Sequence, residues 1–249
     1  MLFGAFLLVT AYLALDSGTD RLAQQIEERT GGQVLIAGPQ DQSFDPRIAG
    51  THPNALQAFI ALRALNRALD AYPAGLLEEA ALDILLAGRL TLLDYRVGGT
   101  VQPHGWVLLA TDYLLISAGP DYLQRAFHHE YSSLLILLEP FPNDDWLAHL
   151  PDGFAFPETD DERLALTQVF AEDLSAFHDR GFVSDYGASS LENDINTYAE
   201  LLLHAPDALA ELAEQHDLIR QKTILIRRFY ETLDPDFTTR FNATALSEL

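Results

Sequence analysis

Every strand-like pattern in this sequence falls before residue 111, and everything after it reads as helix or loop. Short apolar runs bounded by turn residues stand at Val34-Leu35-Ile36, at 84–93 and at 106–110, with Gly98-Gly99 and Pro103 marking a turn region between the last two. Strands early and helices late is the pattern of an α+β chain, a small mixed sheet followed by a helical half. The 249 residues suit one good-sized domain, and 48% apolar residues are enough to fill a core. No repeat, low-complexity tract or interdomain linker interrupts the chain, so residues 19–249 are expected to form one domain.

Helical spacing is clearest in six places. Residues 19–30 are closed by Gly31-Gly32, and Asn54 opens a helix with Leu56, Phe59, Ile60, Leu62, Leu65 and Leu69 on its apolar face. Residues 122–138 contain no Gly or Pro and read as one long helix, broken by Glu139-Pro140-Phe141-Pro142. Residues 162–178 form a fourth. Ser190 is a good N-cap for a fifth that runs to about His204, and Pro206 opens a further long helix to about Leu233. Residues 143–161 read as loop, with Trp146, Phe154 and Phe156 free to line a groove or fill a core.

Fifteen basic residues face 37 acidic ones, a formal charge of −22. Such a chain repels phosphates on average, so nucleic-acid binding is not expected. Lys222 is the single lysine. There is no cysteine, which excludes disulfides, thiolate zinc sites and a cysteine nucleophile. Any metal must be held by His, Asp, Glu or water. Met1 to Leu15 is almost wholly apolar and ends at Asp16-Ser17-Gly18. That length fits a signal-peptide core better than a membrane span of about 20 residues, so residues 1–18 are read as signal-peptide-like and the protein as secreted, periplasmic or envelope-bound. A buried N-terminal helix and a retained anchor stay open.

The residues that carry chemistry lie in the long helix, in His128-His129-Glu130-Tyr131-Ser132-Ser133. In a zincin, two His four residues apart share a helical face and bind zinc, and the Glu after the first His is the base that deprotonates the metal-bound water. His129 and Glu130 are in that register, but Ser133 holds the place of the second His. The plain alternative is a polar patch on a packed helix. About 60 residues on, where a third ligand is expected, stand Gly181-Phe182-Val183-Ser184-Asp185-Tyr186 and a helix ending Tyr198-Ala199-Glu200.

These segments resemble those of the putative zinc-binding metallopeptidases of bacterial surface lipoproteins, a gluzincin-like family. Its members carry a His-Glu-Phe-x-His helix, a Gly-Phe-Val-Ser-x-Tyr segment and a Glu-Asp-Phe-Ala-Glu helix. His129-Glu130 matches the first. Gly181, Phe182, Val183, Ser184 and Tyr186 match the second, and Tyr198-Ala199-Glu200 the end of the third. The resemblance spans roughly residues 73–233. It implies a zincin-like fold with its active-site helix between the sheet and the helical half. It also implies a secreted zinc metallopeptidase acting on a protein or peptide substrate. Glu130 would be the general base and Tyr186 or Tyr198 the oxyanion donor. His129 would be a metal ligand, with Glu200 or Asp194 as the acidic ligand and His128 as a further candidate. Two departures weaken the zinc reading: Ser133 replaces the second His, and the third ligand position falls on Asn196. The site therefore holds zinc, a harder divalent ion, or no metal. The competing expectation is a pseudo-peptidase that keeps the scaffold as a binding or accessory module at the cell envelope.

Overall fold

The computed structural model describes residues 17–102, 105–115, 119–168 and 171–249. The apolar run Met1–Leu15, read as signal-peptide-like, lies outside them. Among the described residues, no helix is long and apolar enough to cross a membrane. The chain is mixed α and β and divides into two compact units, Met1–Phe127 and His128–Leu249, each taken by itself below.

In the first unit, helix α1 (17–30) ends at Gly31-Gly32. Gly31 takes φ +67°, a left-handed conformation that caps the helix, and its N–H returns to Glu27 O at 2.9 Å. A Cβ on Gly32 would stand 2.2 Å from the Leu82 carbonyl oxygen, so only glycine fits where α1 meets the next strand pair. The chain continues through β1 (Val34–Ile36), β2 (Ile48–Gly50), α2 (Ala55–Ala68) and α3 (Ala74–Ala80). Then come β3 (Asp83–Ala87), β4 (Leu90–Leu92), β5 (Tyr95–Val97), β6 (Gly99–Gln102) and β7 (Trp106–Ala110).

Four strands form a mixed sheet in the order β1-β3-β7-β6, with β1, β3 and β7 parallel and β6 antiparallel to β7. β3 and β7 are buried on both faces, which is why they read as continuous apolar runs rather than alternating ones. A second, antiparallel sheet runs β2-β4-β5. Ile48, Leu85, Leu90 and Leu108 share one core cluster. Asn54 caps α2 by accepting from the Gln57 N–H at 2.9 Å, and Gln57 returns the bond. The buried face of α2 is made by Ala58, Ala61, Ala64 and Ala68 together with Leu62 and Leu65, whereas Leu56, read as apolar face, is exposed.

Helix α4 (Gly119–Leu138) carries the chain across the division at Phe127/His128. The second unit is helical: α5 (Asn143–Leu147), α6 (Asp160–Leu166), α7 (Ser175–His178), α8 (Leu191–His204), α9 (Pro206–Gln215), α10 (Asp217–Leu233) and α11 (Asp236–Asn242). Three expectations shift. Residues 143–147 are helix, not loop, and they bury Trp146 completely. The helix expected over 162–178 breaks after Leu166, where the Thr167 hydroxyl donates back to Leu164 O at 2.8 Å and competes with the helical ladder. The helix expected over 206–233 is two, separated by His216 in extended conformation.

The middle of α8 is buried from Asp194 to Ala199. There Lys222 of α10 forms a fully buried ion pair with Asp194 (Nζ to Oδ2, 2.7 Å). Trp146 Nε1 donates to the same oxygen at 2.8 Å. Lys222 Nζ and the Tyr198 hydroxyl both donate to Gly181 O, at 2.9 and 2.8 Å. This network ties α5, α8, α10 and the Gly181 turn together. Phe154 and Phe156, half-buried, pack on Phe182 with ring centroids 5.0 and 6.3 Å away.

Candidate functional site

α4 and α8 supply the site, both parts lying within the second unit. His129 and Ser133 are four residues apart on α4, and Asn193, Asn196 and Glu200 are three and four apart on α8, so each set shares a face. Ser190 fixes the start of α8, its hydroxyl accepting from the Asn193 N–H at 3.0 Å. The two faces meet. Asn196 Nδ2 donates to Ser133 Oγ at 2.6 Å. His129 Nδ1 lies 2.7 Å from Glu200 Oε1, and His129 Nε2 lies 3.2 Å from Asn193 Oδ1.

The surrounding bonds decide where the protons of His129 sit. Ser189 Oγ donates to Tyr186 O at 2.6 Å, which leaves its lone pairs to accept from Asn193 Nδ2 at 2.8 Å. With its nitrogen on Ser189, Asn193 turns its oxygen to His129 Nε2, and that nitrogen must carry a proton to bond it. Nδ1 faces a carboxylate and must donate too. His129 is therefore an imidazolium paired with Glu200. Burial pulls the ring toward neutrality, but the Glu200 hydrogen bond and the charges of Glu200, Glu130 and Glu192 outweigh it and hold the group at about 9.

Glu130 follows His129 and is 9% exposed. None of the described residues donates a hydrogen bond to its carboxyl. Burial pushes it up to about 7, against the pull of His129 and with the help of Glu192 and Glu200. Glu192, in the first turn of α8, is exposed. The Tyr186 ring stands edge-on to the His129 ring, centroids 5.4 Å apart.

Of the four residues implied as metal ligands, His129 and Glu200 are brought into contact. His128 is buried on another side of α4, its ring 6.3 Å from that of His204, and burial, with the nearby His204, pushes it down to about 3. Asp194 points into the core at Lys222. Tyr198, the other oxyanion candidate, is wholly buried and spends its hydroxyl on Gly181 O. Among the described residues, no three His, Asp or Glu side chains gather as a metal-donor group.

A zinc site takes at least three protein donors with lone pairs directed at the ion. Here the imidazolium offers none, the hydroxyl and the amide at the other two ligand positions bond each other, and Asp194 is committed to a cation. These residues do not fit zinc as arranged.

The sequence reading missed three participants. Asn193 shares the face of Asn196 and Glu200, so spacing alone pointed to it. Glu192 sits beside it as first-turn charge. Lys222 stood out as the single lysine of the chain, inside an apolar helical face.

No protein-family model matches this chain, and a search of curated proteins finds no match. Among solved structures, it is similar to a crystal structure of a putative zinc-binding metallo-peptidase from Bacteroides caccae. The two share 18% sequence identity over 94% of each chain, with a TM-score of 0.56. At that identity the likeness is one of fold alone.

Proposed function

We propose that this chain is a zincin-like peptidase scaffold that has given up its metal centre and serves as a binding module for a protein or peptide at the bacterial cell envelope. The fold likeness over nearly the whole chain supports the scaffold, as do the segments at His129-Glu130, Gly181–Tyr186 and Tyr198–Glu200. One observation carries the loss of the metal. The imidazole in the first ligand position is clamped as a double donor between Glu200 and Asn193, while Ser133 and Asn196 close on each other. An ion pair and an amide–hydroxyl bond stand where three zinc donors would.

The contact between His129 and Glu200 also favours a second reading. The resemblance pairs these two residues as ligands, and a metal able to displace the His129 protons would restore the peptidase roles, with Glu130 as base. Elemental analysis of purified protein, without chelator and after zinc addition, beside a His129→Ala variant, separates the two. Less than about a tenth of an equivalent of zinc in both proteins is the expected result. About one equivalent in the wild type, lost in His129→Ala, together with peptide-bond cleavage, would overturn the proposal.

A further inference from the structure

Residues 137–147, where α4 ends and α5 begins, carry two features that the fold does not use. The described residues expose six large apolar side chains, and three of them fall in this stretch: Leu137 (71% exposed), Leu138 (66%) and Leu147 (40%). Single exposed leucines are ordinary, whereas a concentration of them at one corner marks a surface that something covers. The core does not need them. Phe141 and Trp146 turn inward from the same corner, their ring centroids 5.5 Å apart, and Phe141 packs 5.0 Å from Phe229 of α10. Those two rings pin the corner, and Leu147, next to Trp146 on α5, points about 100° away from it. The rim is acidic. Glu139, Asp144 and Asp145 are exposed, and none of them is paired with a cation among the described residues. No lysine or arginine occurs in the sequence between Arg125 and Arg163.

We propose that this corner is a docking surface for a basic, amphipathic segment of a partner protein. Its apolar residues cover Leu137, Leu138 and Leu147, and its lysines or arginines meet Glu139, Asp144 and Asp145. Charge complementarity decides among the possible occupants. A second copy would bring the same acidic rim against this one, and each chain carries a formal charge of −22. An anionic lipid surface is repelled for the same reason. A cationic segment gains from both parts of the patch: the apolar centre excludes water, and the charged rim steers the approach and fixes the register. The inference rests on the binding-module reading and gives the partner a chemistry.

The test is fluorescence anisotropy of a labelled peptide of leucines and lysines, its leucines at helical spacing, titrated with chelator-treated full-length protein. Two control peptides carry glutamate in place of lysine, or serine in place of leucine. Wild type is compared with Leu137→Ser/Leu138→Ser, with Asp144→Asn/Asp145→Asn, and with Leu56→Ser, which alters an exposed leucine of the first unit. All these positions are on the surface, so the variants should fold as the wild type does. The basic amphipathic peptide should bind about tenfold or more tightly than either control. The leucine pair should weaken that binding by about tenfold or more and the aspartate pair by about threefold or more, while Leu56→Ser should leave it unchanged. No binding of the basic peptide overturns the inference. Binding untouched by both pair variants, equal binding of the glutamate peptide, or equal weakening by Leu56→Ser also overturns it. Sedimentation with phosphatidylcholine vesicles, or self-association, that is lost in the leucine pair and occurs without peptide binding assigns the surface to a membrane or a second copy and overturns it too. The zinc analysis stands apart from these titrations. Zinc-free protein that ignores the peptide refutes this inference alone, whereas stoichiometric zinc on His129 with peptide-bond cleavage refutes the binding-module reading whatever the corner does.

Discussion

Lys222 and Asp194 show at the scale of single residues what holds the site in place. Both are fully buried, and among the described residues they form an ion pair at 2.7 Å in which each charge balances the other. Taking one partner away leaves an uncompensated charge in a dry interior, a loss of about 3–5 kcal/mol. Lys222→Met should therefore lower unfolding free energy by about 3–5 kcal/mol in urea titrations, and adding Asp194→Leu should restore most of it. A single variant that unfolds like the wild type would show that water, not Lys222, compensates Asp194. The same helix illustrates why neighbours in sequence part company in space. Asn193 faces His129, while Asp194, about 100° further round, faces the core.

At the scale of elements, legibility followed local signals. The ends of α8 were readable because Ser190 caps it and Ala205-Pro206 stops it, and α4 because nothing inside residues 122–138 breaks it. β1 and β7 were readable as short apolar runs between turn residues. β2 and β6 were not: each is three or four residues long, contains glycine, and exists because a neighbouring strand pairs with it. The helix over 206–233 has continuous periodicity, and its interruption at His216 is a tertiary event without a Gly or Pro to announce it. The site divides in the same way. Spacing brought out His129, Glu130 and Glu200, and with them the departures at Ser133 and Asn196. What spacing leaves unwritten is the protonation of His129. That depends on Asn193, Ser189 and the Tyr186 carbonyl acting in series, a chain of bonds that exists only once the Gly181–Ser190 turn is folded against α8.

Across the whole molecule, these charges set how stability changes with pH. His129 is held at about 9 when folded, above the ordinary value of about 6.5, so its pairing stabilises fully below about pH 6.5 and fades as pH rises through 9. Glu130, raised to about 7, works in the same direction over the lower window, because its ionisation disfavours the fold between about pH 4.5 and 7. His128 opposes on the acid side. Pushed down to about 3, it stays neutral in the fold and takes its proton only in the unfolded chain as pH drops below about 6.5. Between pH 7 and 9 the His129 and Glu130 contributions fall together. Unfolding free energy is thus expected to fall by about 2–3 kcal/mol from pH 7 to 9, followed by urea titration at each pH. The Glu200→Gln variant should flatten that decline.

The account turns on a protonated His129 bonded to Glu200 and Asn193 in place of a metal ligand. The ring nitrogens report this directly. Long-range nitrogen–proton NMR of histidine-labelled protein at pH 7.5, before and after one equivalent of zinc, should show both nitrogens of His129 protonated and unmoved by the metal. A His129 nitrogen with a free lone pair, shifted stoichiometrically by zinc, would contradict it.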